Sequence, residues 1–222
     1  MQSLLISHPQ VASSNLLVGR KHLSVLIVFN QNSKGVFIMK RIILTSAGFE
    51  NPNIEKIFLE MVGKPAQKAK ALWIPTAAID EDAKAVLPKC MNDLLNAGFT
   101  KENITIYDLD YMLSYEQLKS YDVVYVCGGD CNHLIKHMRK VNFIDLIQEY
   151  VSNDGMYVGV SAGSCICGSD FKKGIPWFPR KIDVHCKNGT PAGKHDFQNM
   201  KMVSLKDNQA IIFTGDDIQI AE

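Results

Sequence analysis

Tyr157-Val158-Gly159-Val160-Ser161-Ala162-Gly163 decides how this chain folds. A short apolar run passes at once into small residues and glycine, so a buried strand must turn sharply into a helix. In G-x-S-x-G, the flanking glycines permit a tight, strained bend that lifts the serine hydroxyl above the strand end. A helix opening at Ala162 also aims free N–H groups and its positive dipole end at the place where an oxyanion would form. Ser161 is therefore the candidate nucleophile.

The same grammar repeats on either side. Continuous apolar runs at Arg41 to Thr45, Ala71 to Pro75, Ile104 to Asp108, Val123 to Cys127, Tyr157 to Val160 and Ala210 to Thr214 read as strands buried on both faces. Helical patterns lie between them at Asn53 to Val62, Glu81 to Ala97, His133 to Arg139 and Phe143 to Ser152. Asn53 and Asn142 stand at expected N-caps and Gly98 at an expected C-cap. Strand alternating with helix defines an α/β class, a three-layer sandwich around a mostly parallel sheet. Right-handed crossovers then place functional loops beyond the strands' carboxyl ends.

With 24 Lys+Arg against 23 Asp+Glu, the net charge of +1 supplies no bulk field for nucleic acid or an anionic membrane, and neither is an expected partner. A composition 46% hydrophobic and 21% charged suits a chain that buries a sizeable core. The longest apolar run, Leu23 to Phe29, is about a third of the ~20 residues needed to span a bilayer. Six cysteines scattered through apolar segments, with no C-x-x-C, read as free thiols in a reducing, cytoplasmic compartment. Residues 1–38 show no sustained period and lack a basic n-region. They are expected to be a poorly ordered leader outside the fold, with 39–222 forming one domain.

A serine hydroxyl needs a base, and only His185 and His195 follow the elbow. His185 ends the extended stretch Lys181 to Val184, whereas His195 lies among Gly193, Lys194 and Asp196, a solvated turn by composition. The order is thus Ser, His, acid, with the acid sought on the loop after the last strand, where Asp216 is favoured over Asp217. Asp183 is a rival, but two residues from His185 on an extended segment its carboxylate diverges from Nδ1. Gly128-Gly129 follows the most apolar strand and offers an N–H to an oxyanion. His133 and His137, spaced i, i+4 without the glutamate of H-E-x-x-H, read as a solvated helix face, and no metal is expected.

Four strand-end motifs now stand in order: Met39-Lys40-Arg41-Ile42-Ile43-Leu44-Thr45-Ser46, Trp73-Ile74-Pro75-Thr76-Ala77-Ala78, Val124-Tyr125-Val126-Cys127-Gly128-Gly129-Asp130 and Gly159-Val160-Ser161-Ala162-Gly163-Ser164. Together they resemble the peptidase E family, serine peptidases on the class I glutamine-amidotransferase-like fold that are related to the cyanophycinases. The resemblance implies a triad of Ser161, His185 and Asp216, with oxyanion donors at Gly129 and Ala162. It also implies cleavage of short peptides, with an N-terminal aspartate removed from Asp-X, and no cofactor. Homodimer formation is left open. The resemblance implies a terminal hairpin past the acid, so the end at Glu222 reads either as a truncation or as a less well braced acid loop. The alternatives are a non-catalytic or differently specific member of this fold, or a glutaminase-type subunit, which would need cysteine at position 161.

Overall fold

A computed structural model describes residues 40–222; the expected leader, 1–38, lies outside the described residues. The chain order is β1 (Arg41–Thr45), α1 (Pro52–Val62), β2 (Ala71–Ile74), α2 (Glu81–Ala85), α3 (Leu87–Asn96), β3 (Ile104–Ile106), α4 (Tyr115–Leu118), β4 (Val123–Val126), α5 (Cys131–Lys140), α6 (Phe143–Ser152), β5 (Met156–Val160), α7 (Ala162–Cys165), β6 (Lys181–Asp183), β7 (Met202–Ser204), β8 (Ala210–Thr214) and β9 (Asp217–Ala221). One sheet runs β3-β2-β4-β5-β1-β8-β9, and β6 and β7 pair in a small second sheet. The first five strands of the large sheet are parallel; β8 runs antiparallel to β1, and β9 antiparallel to β8.

The period of two in β1 shows how the layers form. Ile42 and Leu44 face a core closed by Leu134 and Met138 of α5 and by Phe143 and Ile147 of α6. Ile43 faces the opposite core, closed by Ile54 and Phe58 of α1 and Leu94 of α3. Both faces of β1 are dry, as its continuous apolar run requires, whereas β3, also expected to be buried on both faces, is an edge strand with Thr105 and Ile106 exposed. Among the described residues no helix is long and apolar enough to cross a membrane.

Local chemistry changes two expected helix boundaries and one expected cap. The N-cap of α1 is Asn51, whose side chain accepts from the Asn53 N–H at 2.9 Å, with Pro52 opening the helix. The single helix expected over 81–97 is broken at Val86, because Pro88 has no N–H to give and its ring collides with the preceding turn. Asn142 precedes α6 in a left-handed conformation but makes no side-chain cap. Gly98 behaves as expected, with φ +97° just past α3 and its N–H bonded to the Leu95 carbonyl.

Asp93 of α3 braces the loop between β1 and α1. Its Oδ2 accepts from the Tyr125 hydroxyl at 2.5 Å and from the Phe49 N–H at 3.2 Å. Burial pushes this carboxyl up to about 6, with the Tyr125 and Phe49 hydrogen bonds pulling the other way. An unfolded chain releases the same proton near 3.8, so the folded state holds more protons between the two values. Stability contributed at this site therefore falls as pH rises through that window and is level above it. Asp93→Asn is expected to remove that slope, a relative gain of about 2 kcal/mol from pH ~4 to ~7, read from urea unfolding of the two proteins.

Candidate active site

Ser161 stands one residue past β5 with φ 49° and ψ −106°, outside the regions a serine favours. Bonds on both sides hold it there. Its N–H donates to the Thr45 carbonyl at 3.1 Å, and its carbonyl accepts from the Ser164 and Cys165 N–H groups, both at 2.9 Å. The glycines of the motif are steric necessities: a Cβ on Gly159 would lie 2.5 Å from the Gly163 carbonyl oxygen, and one on Gly163 would lie 2.5 Å from that of Val126. Gly163→Ala is accordingly expected to cost about 3 kcal/mol or more, since backbone on both sides would have to move. A drop in melting temperature, or insoluble expression, is the readout.

Across the elbow lies the loop after β4. Gly129 has φ +136°, and a Cβ there would sit 2.0 Å from the Ala77 carbonyl oxygen. That oxygen is held by the Asp130 N–H at 2.7 Å. Gly128 runs so close to the serine that its own Cβ would be 3.1 Å from Ser161 Cβ. Among the described residues, the N–H groups of Gly129 and Ala162 have no protein acceptor. Two free donors thus flank one hydroxyl.

The small sheet delivers the histidine. Ile182 pairs with Val203 across β6 and β7. Beyond the strands, Leu205 donates to the Asp183 carbonyl at 2.8 Å and accepts from the Cys186 N–H at 3.0 Å. His185 is gripped between these two bonds, at φ 58°. Its backbone N–H donates to Ser46 Oγ at 2.7 Å. Its Nε2 lies 3.0 Å from Ser161 Oγ, and its Nδ1 lies 2.7 Å from Asp207 Oδ1. A carboxylate only accepts, so Nδ1 carries the proton and Nε2 is free to accept from the serine hydroxyl. Ser46 Oγ also donates to Asp207 Oδ1, at 3.2 Å, joining the histidine's backbone to its carboxylate partner.

The acid position is a correction. Asp216 lies in the β8–β9 turn, next to Gly215, whose N–H bonds the Lys40 carbonyl at the start of β1. In the antiparallel β8, Thr214 pairs with Arg41 and Ala210 with Thr45, so that turn falls at the end of the sheet opposite Ser161. The residues carrying His185 stay above the carboxyl ends, so the chain re-enters the sheet from there; the loop entering β8, not the one leaving it, faces the histidine. Asp207 is on that entering loop, which buried Gln209 braces through bonds to the Lys206 N–H, the Thr190 carbonyl and Glu222.

The other candidates also separate. Asp217 pairs with Lys194, and His195 donates to the Pro191 carbonyl at 2.7 Å. Asp183 lies 3.6 Å from Lys181. The rings of His133 and His137 stack at 4.2 Å, and burial, then the neighbouring His133, lowers the His137 pKa. Among the described residues no three His, Cys, Asp or Glu side chains cluster to hold a metal ion. Ser46 lay within a strand-end motif visible in the sequence, whereas Asp207 sat unmarked in the polar turn Lys206-Asp207-Asn208.

A family model described as peptidase family S51 matches residues 42–174, which include Ser161 and stop short of His185 and Asp207. Among curated proteins, an uncharacterized peptidase of Pasteurella multocida is 26% identical over 58% of this chain and 60% of its own length. Peptidase E of Nostoc is 26% identical over 54% of this chain and 53% of its own length. The chain thus spans between half and two thirds of the length of these relatives. Among solved structures, a Listeria monocytogenes protein assigned as a peptidase E aligns over 83% of this chain and 98% of its own, with a TM-score of 0.66 at 18% identity. A peptidase from an acI-B1 actinobacterium aligns over 83% and 88%, with a TM-score of 0.58 at 16% identity. The fold is that of peptidase E proteins, the class I glutamine-amidotransferase-like sandwich.

Proposed function

Because this chain belongs to peptidase family S51, we propose that it is a serine-dependent peptidase that cleaves short peptides through an acyl-enzyme. The observation carrying this reading is the unbroken run of contacts from Asp207 Oδ1 to His185 Nδ1 and from His185 Nε2 to Ser161 Oγ. His185 takes the hydroxyl proton as Ser161 attacks the peptide carbonyl, and the Gly129 and Ala162 N–H groups hold the resulting oxyanion. The protonated imidazole gives its proton to the leaving amine, and a water then enters by the same route to release the acyl group. Asp207 keeps the imidazole in the accepting tautomer and balances its charge when protonated.

The finer reading is removal of an N-terminal aspartate in the cytoplasm. Lys136, Arg139, Lys172 and Lys173 line one cavity with Asp170, and none of the four makes an ion pair among the described residues. This cavity begins at Asn132, next to the loop that faces Ser161, and suits an acidic substrate. All six cysteines are free, which fits a reducing compartment. A fluorophosphonate probe tests the core of the proposal: covalent labelling mapped to Ser161 is expected, and a folded protein that does not label sinks the nucleophile. A dipeptide library tests the finer part, with Asp-X the preferred class.

A further inference from the structure

Cys131 and Cys165 bracket the proposed oxyanion site. Cys131 opens α5 two residues after Gly129, and Cys165 ends α7 four residues after Ser161. Both thiols are half-buried and free, and the helices that carry them, α5 and α7, pack against each other. Cys131 Sγ lies 4.0 Å from the carbonyl of Ala162, the residue after the nucleophile and three before Cys165 in α7, while Cys165 Sγ lies 3.5 Å from the Ile182 carbonyl. A second thiol pair, Cys90 with Cys127, is buried beneath the same loop, out of reach of solvent oxidants.

We propose that Cys131 and Cys165 form a peroxide-responsive disulfide site that switches the oxyanion pocket. Contact with the Cys165 thiol draws the Cys131 thiol below its ordinary value, against the cost of burial. Its place at the first turn of a ten-residue helix favours the thiolate further. The Cys131 thiolate attacks hydrogen peroxide, breaking the O–O bond to give a sulfenic acid and, after protonation, water. The Cys165 sulfur then displaces the hydroxyl from that sulfenic sulfur, forming S–S and releasing a second water. Two thiols are oxidised and one peroxide is reduced. A disulfide holds its sulfurs about 2.05 Å apart, so closure draws the start of α5 against α7. The Gly129 and Ala162 donors ride on those two segments and lose their common focus.

The test exposes the reduced protein to graded hydrogen peroxide and maps its disulfides by fragmentation that separates Cys131 from Cys127 and Cys165 from Cys167. A Cys131–Cys165 link is expected, with a mass loss of about 2 Da for the two hydrogens removed. Peptide turnover is expected to fall by about 10²-fold, the scale of losing one oxyanion donor, and to return with dithiothreitol. Cys165→Ser is expected to turn over normally and to show no reversible response. Disulfide mapping reads the site whether or not a peptide substrate is turned over, so it stands apart from the peptidase assignment. Thiols that stay unlinked or go to sulfinic acid, a linked protein as active as the reduced one, or an unchanged reversible response in Cys165→Ser would each overturn the switch.

Discussion

Replacing Ser161 by alanine is expected to lower peptide turnover by about 10⁴–10⁶-fold while leaving the melting temperature within a few degrees of the parent. Alanine accepts the same backbone strain as serine at φ 49°, and the bonds that fix this turn use its N–H and carbonyl, not its hydroxyl. The loss therefore reports chemistry, not folding. The N–H groups of Gly129 and Ala162, proposed to hold the oxyanion, remain, so a residual rate above the uncatalysed reaction is expected. Turnover by Ser161→Ala within tenfold of the parent would exclude the acyl-enzyme route.

Asp207→Asn is expected to lower turnover by about 10³–10⁴-fold, because an amide in that place can donate to Nδ1 and so leave the proton on Nε2, where it cannot accept from Ser161. Asp216→Asn is the control. Its position at the far end of the sheet predicts a rate within about twofold of the parent, as expected of a surface substitution away from the site. Measuring the two side by side separates the orienting carboxylate from its sequence rival, and equal losses would contradict the assignment. The variant should keep its fold, since both His185 and Asp207 are more than half exposed and their pairing contributes little net stability.

Much of this architecture was legible before any coordinates. Arg41–Thr45 and Ala210–Thr214 carry patterns strong enough to mark both their ends, because their apolar interiors are buried on two faces, and helix Phe143–Ser152 is marked by its own apolar periodicity. The elbow was equally readable: a Cβ on Gly159 or Gly163 meets backbone at 2.5 Å, so the residues required there are few and conspicuous. The small β6–β7 sheet left a weaker trace. Its two strands have three residues each, too short for any periodicity, and they gain their partners only from each other.

The chain's own residues determined the α/β layers, the sharp turn at Ser161 and His185 as the candidate partner of that serine, since each rests on local pattern or on the short supply of histidines after the elbow. Tertiary structure decided which carboxylate meets the imidazole. Nothing within a strand records which way it will run, and the reversed direction of β8 exchanges the loops at its two ends. That exchange carries Asp216 away from the imidazole and brings Asp207 to within 2.7 Å of it.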